Sequence, residues 1–151
     1  MGFSFKTVSV AADVTARYTL WSISEDPGNP IVLIVRPAAA PNMAFMNAAF
    51  KLASATRAGA GAAQLSAARL QMARAEVAEL YAQHVIAGWE NVREDGVPAP
   101  CTPEVVLRFL TALIQPPPDG RPDVFDELRT FCGNLDHFRP PTVAAADLGK
   151  G

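Results

Sequence analysis

The chain has 151 residues, 50% of them hydrophobic and 19% charged, and a net charge of −2. This is the balance of one globular domain long enough to bury a core. Its 13 Lys and Arg are outnumbered by 15 Asp and Glu and form no block, so no nucleic-acid partner is expected.

Phe3 to Val10 alternate and are rich in β-branched and aromatic types, which predicts a short strand or extended arm. Arg17 to Ser24 alternates with large groups on both faces and reads as a second strand. Glu25-Asp26-Pro27-Gly28-Asn29-Pro30 is a dense turn signal. Ile31 to Val35 then returns as the other half of a hairpin, and its run of apolar residues predicts burial on both faces. Pro37 and Pro41 end the ladder.

Asn42 is placed to cap a first helix, Met43 to about Ala55, with Phe45, Met46, Phe50 and Ala53 on one face. Thr56 to Ala63, with Gly59 and Gly61, is expected to break it. That Gly-Ala stretch lacks the Lys-Ser/Thr ending of a phosphate loop, so no nucleotide site is read there. A long helical pattern follows from Gln64, with Leu70, Ala73, Val77, Leu80, Tyr81, His84, Val85 and Gly88 on one face. Gly88 is the expected stop, and Trp89 the anchor of the helix end.

Asn91 to Val97 has the form of a tight hairpin with Asp95-Gly96 at its tip. Thr102-Pro103-Glu104 is a strong helix start, followed by an apolar face of Val105, Val106, Phe109, Leu110, Leu113 and Ile114. Pro116 to Pro118 end that helix. A last helix, Val124 to about Cys132, turns Phe125, Leu128, Phe131 and Cys132 inward and stops at Gly133-Asn134, with Phe138 as a late anchor. The fold class is therefore α+β: an N-terminal β-hairpin or small antiparallel sheet followed by a bundle of about four helices. One domain is expected over 1–139, a strand-rich arm over 1–36 and a helical part over 42–139, with 140–151 as a C-terminal tail.

Chemistry is harder to find. His84 and His137 fall on different elements without ligand-spaced partners, and Cys101 and Cys132 make neither a redox pair nor a metal pattern. Glu94-Asp95 lies in a turn, and Asp123, Asp126 and Glu127 lie at a helix start, where acids are expected for local reasons. No nucleophile elbow, zinc-protease motif or dinucleotide fingerprint is present. The reading is a protein without catalytic, cofactor or metal residues that works by contact. Phe3, Phe5, Tyr18, Trp21, Ile31 and Leu33 give the N-terminal strands more apolar surface than one sheet face needs, and form the expected interaction surface. Trp89, Gly96, Phe109, Phe131 and Phe138 are the expected structural anchors. Met1 to Lys6 lacks an export signal, and no run reaches the ~20 apolar residues that cross a bilayer, so no membrane contact is expected.

The run Tyr81 to Val92, then Asp95-Gly96, Val97-Pro98 and Thr102-Pro103-Glu104, resembles a pattern of the tailed-bacteriophage tail assembly chaperones. Phe131 to Asn134 and Phe138 resemble its closing segment, and the likeness covers roughly Asn42 to Phe138. Cys101 stands where such sequences often carry an aromatic residue, and the strand-rich start is longer than the pattern. The resemblance implies a phage morphogenesis protein that binds the tape-measure or tail-tube protein in the host cytoplasm during assembly. The alternative is a virion structural protein, such as a capsid decoration or cement protein, bound to the major capsid protein. Self-association as a homo-oligomer is compatible with both.

Overall fold

A computed structural model describes residues 14–60, 67–115 and 121–138, with side chains described outside 55–71. The expected arm over Phe3 to Val10, the proline stop at Pro116 to Pro118 and the tail over 140–151 lie outside these residues. The chain is α+β. Strands β1 (Ala16–Thr19), β2 (Val32–Val35) and β3 (Ile86–Glu90) form an antiparallel sheet in the order β1-β2-β3. Helices α1 (Met43–Ala60), α2 (Ala67–His84), α3 (Pro103–Leu113) and α4 (Val124–Gly133) pack with it, and a small hairpin, β4 (Arg93–Glu94) and β5 (Val97–Pro98), precedes α3.

The largest departure from the sequence pattern lies after α2. The helix ends at His84, not at Gly88, and Ile86 to Glu90 form the third strand. Periodicity favoured helix, but β2 is buried, and its outer row of backbone groups needs partners that β1 cannot supply. β3 provides them, pairing Leu33 with Trp89 and Ile34 with Gly88. A Cβ at Gly88 would sit 3.5 Å from Ile34 Cδ1, ordinary contact, so glycine is not demanded by space there. Asn42 makes the early stop possible. Its Nδ2 donates to the His84 carbonyl at 2.8 Å, while its Oδ1 accepts from Phe45 N at 3.2 Å. One buried side chain thus caps the end of α2 and the start of α1.

α1 also runs past the expected break at Thr56 and continues to Ala60. A helical glycine costs only about 1 kcal/mol against alanine, and Gly59 sits among residues that favour helix.

Register decides which residues face the helices. Tyr18, Leu33 and Trp89 are directly opposite one another on the three strands and share the inner face. On the outer face Arg17 and Glu90, from the two edge strands, meet across β2 in a two-pronged ion pair of 2.6 and 2.9 Å. Their stems lie over the strand that carries Val32 and Ile34. The core itself gathers Leu33 and Val35 from β2, Tyr81 from α2, Val106 and Leu110 from α3, and Phe125, Leu128 and Cys132 from α4. Tyr81 meets Phe45 and Phe125 edge-on, each at 5.6 Å between ring centres.

Trp89 is an anchor, though of β3 to α3 and not of a helix end. It is half-buried, donates Nε1 to the Ala99 carbonyl at 2.9 Å and meets Phe109 edge-on at 5.4 Å. Phe131 is half-buried between Tyr18 at 4.7 Å and His137, which stacks on it at 4.1 Å, and Phe138 is buried beside it.

The Asp95-Gly96 tip has φ of 53° and 77°, the two positive values a type I′ turn needs. Nothing lies within 4 Å of a Cβ built on Gly96, so a substitution there is penalised through the backbone alone. Gly96→Val is expected to lower stability by about 1–2 kcal/mol, and Asp95→Asn to be nearly neutral. Parallel thermal melts of the two variants check this.

Acid should loosen two surface ties. Hydrogen bonds from Arg17 hold the Glu90 carboxyl below its ordinary value, and those from Arg108 do the same for Glu94. A depressed folded value means that this stability is present above the unfolded carboxylate value of 4.5 and is lost as pH falls through the folded one. The melting temperature should therefore drop below about pH 4.5, and the drop should be shallower in an Arg17→Ala, Arg108→Ala double variant.

Candidate interaction surface

α1 is apolar round more than half of its circumference. At 3.6 residues per turn, Leu52, Phe45 and Ala49 come first, turned to the core and its margin. Ala53, Met46, Phe50 and Met43 follow in that order, moving away from the core. Over Met43 to Ser54 only Ser54, Asn47 and Lys51 give a polar strip, and the helix contains no Asp or Glu; Thr56 and Arg57 follow on the apolar side in its last turns. The outer part of the apolar arc is open to water: Phe50 is 73% exposed, Met43 59% and Met46 38%. The face expected to hold Phe45, Met46, Phe50 and Ala53 is thus divided, with Phe45 buried and Met46 and Phe50 turned outward.

This arc borders a groove of about 840 Å³ between α1, α2 and α4. Phe45, Ala49, Leu52, Val77, Leu80 and Tyr81 give it apolar walls, while Glu76, Asp126, Arg129 and Thr130 supply polar groups. Burial holds the Tyr81 hydroxyl well above its ordinary range, so it stays protonated and presents no charge to the groove. At the junction of α2 and α4 the Arg74 guanidinium bridges Asp123 and Asp126, the latter at 3.0 Å. Asp123 is also the cap of α4, accepting from Asp126 N at 2.8 Å. A groove with mostly apolar walls, beside a row of exposed large side chains, can bind an apolar helix or loop.

The residues expected to form a contact surface on the N-terminal strands are not brought together. Phe3 and Phe5 lie outside the described residues. Trp21 is 65% exposed on a short 3-10 turn after β1. Ile31 is half-buried. Leu33 is fully buried and Tyr18 is half-buried against Phe131, because both occupy the inner row of the sheet. Leu33 is therefore core, a correction, and Tyr18 is mainly a packing residue. Sequence reasoning missed Met43, Met46 and Phe50 as a group. Their spacing of three and four residues was the signal, but so much of α1 is apolar that the spacing alone could not say which side faces in.

Cys132 is fully buried, and burial pushes its thiol up to about 12, while Cys101 is exposed. Neither is disulfide-bonded. Among the described residues no group of three or more His, Cys, Asp or Glu is placed to hold a metal ion. No described helix is long and apolar enough to cross a membrane.

The family described as YdaY prophage protein matches residues 41–146, well over half of the chain. The chain belongs to the YdaY prophage protein family. Its origin is accordingly a phage genome. The family segment begins just before α1 and takes in all four helices, β3 and the β4-β5 hairpin, while β1 and β2 precede it. The α1 arc and its groove thus lie inside the part that makes the chain a YdaY prophage protein. No curated protein and no solved structure matches the chain.

Proposed function

We propose that this YdaY prophage protein is a non-enzymatic morphogenesis factor that acts by protein contact, as a tail assembly chaperone. The observation that carries the reading is the apolar arc of α1, with Met43, Met46 and Phe50 in water beside an open groove. Monomeric proteins seldom leave such groups side by side, because each would be stabilised by removal from water. A protein that shields an apolar segment of another needs such a surface. The span that resembles tail assembly chaperones, about Asn42 to Phe138, falls wholly within the family segment at 41–146, which supports a phage origin for it.

The client in this reading is the tape-measure or tail-tube protein of the same phage, met in the host cytoplasm before the tail is complete. The decoration-protein alternative would contact the capsid through the strand-rich arm over 1–36, where Phe3 and Phe5 lie outside the described residues and Leu33 is core.

The test is to delete the gene from an inducible lysogen that carries it, then to inspect particles by electron microscopy and mass spectrometry. Heads without normal tails in the deletion strain, and absence of the chain from mature wild-type particles, are the expected results. Stoichiometric presence in mature particles would overturn the chaperone reading in favour of a structural one.

A further inference from the structure

We infer that the free protein pairs with a second copy of itself through the α1 face, each copy seating Phe50 and Met46 in the other's groove. The inference rests on the contact reading above and names what occupies the same surface when no client is present.

Two features of the face argue for self-pairing. Knob and hole lie side by side: Met46 and Phe50 project next to the groove walled by Ala49, Leu52 and Ala53 of the same helix. A two-fold interface needs this adjacency, since residue i of one copy meets residue j of the other and the reverse. Ala49 and Ala53, one turn apart, leave room for the incoming rings, and Ala73 does the same on the α2 side of the groove.

Charge permits it too. Between Met43 and Ser54 the arc from Leu52 round to Met43 carries no charged residue and Lys51 lies on the polar strip, while Arg57 follows on the arc's side in the last turns of the helix. Two copies meeting with their α1 helices antiparallel about Met46 and Phe50 place the two Arg57 positions at opposite ends of the contact, so like charges are not set together. The groove's far wall carries both signs, in Glu76 and Arg129, and does not repel a copy of itself.

The area is sufficient. At roughly 200 Å² for each large side chain, the exposed parts of Met43, Met46 and Phe50 amount to about 300–400 Å² per copy. Covering them on both copies, with the groove walls they enter, brings the total to about 1,000–1,200 Å², the lower edge of specific interfaces. A second copy is also the one partner whose own apolar patch needs covering to the same extent.

Sedimentation velocity of the full chain, over a concentration series from nanomolar to high micromolar, is the experiment. The wild type is expected to move from one chain mass to twice that mass. Phe50→Glu, at a site 73% exposed, should weaken self-association by at least tenfold while leaving the circular dichroism spectrum unchanged. Ala53→Trp, which fills the hole without adding charge, should weaken it as well, and Lys51→Glu on the polar strip should not. A wild type that stays at one chain mass throughout overturns the inference, and so does a dimer that survives both Phe50→Glu and Ala53→Trp. A monomeric wild type whose melting temperature falls in Phe50→Glu would assign the face to a segment of the same chain, which also overturns it. If the monomer still binds the purified tape-measure or tube protein, only the pairing fails. If a dimer forms but neither protein binds, the client reading fails and the pairing stands.

Discussion

Replacing Phe125 by alanine should lower stability by about 3–5 kcal/mol, the largest loss expected of any single side chain here. The ring is fully buried on α4 and meets Tyr81 edge-on at 5.6 Å, and Tyr81 in turn meets Phe45. Truncation removes the apolar transfer energy of the ring and leaves a cavity where three helices converge. Phe125→Leu keeps most of the volume and should cost about half as much. Urea unfolding of both variants against the wild type measures the difference. A loss below about 1 kcal/mol for Phe125→Ala is what a surface site would give, and it would place the centre of the core elsewhere.

The second large effect is expected at Asp123. Its carboxylate is 3% exposed, accepts from Asp126 N at 2.8 Å as the cap of α4, and pairs with Arg74 of α2. Asp123→Ala removes a cap, at about 1 kcal/mol, and breaks a largely buried ion pair, a change that in full burial costs about 3–5 kcal/mol. Two facts reduce the second part. The Arg74 side chain is 22% exposed, and it keeps Asp126 at 3.0 Å as another partner. The net expectation is therefore about 2–4 kcal/mol. Asp123→Asn retains the capping oxygen and should recover part of it. Thermal melts of the two variants separate cap from ion pair.

Local signals in the sequence agree with the structure at the side-chain caps and tight turns, whereas the glycine stops expected at Gly88 and Gly59 do not. Thr102 caps α3, with Oγ1 3.4 Å from Val105 N and Pro103 in the first turn. Asp95-Gly96 turns the small hairpin, and the Glu25 to Pro30 loop closes on Asp26, which accepts from Gly28 N and Asn29 Nδ2. In each case the bond that fixes the conformation lies within a few residues, so the pattern is visible in the chain itself. Phe138 likewise proved to be buried, at 2% exposure.

The larger departures lie where a distant partner decides. Ile86 to Glu90 has helical spacing behind it, yet β2 recruits it as a strand across the 50 residues between Val35 and Ile86. Leu33 and Tyr18 looked like surplus apolar surface on a hairpin. A third strand and α4 make them part of the interior. The same logic hid the candidate site. Phe45 is buried and Phe50 exposed on one helix, and only the positions of α2 and α4 determine which of the two faces in. Asn42 illustrates both sides: its role as the cap of α1 was legible, while its second bond, to the His84 carbonyl, was not.

The central claim is that the α1 arc is the working surface of this YdaY prophage protein, and binding to a defined client tests it most directly. The purified tape-measure and tail-tube proteins of the same phage should be titrated with wild type and with Phe50→Glu, whose melting curve serves as the check on folding. Saturable binding of one of them by the wild type, weakened at least tenfold in the variant, is the result predicted. Equal binding by both proteins, with equal melting, would contradict the claim and move the contact away from α1.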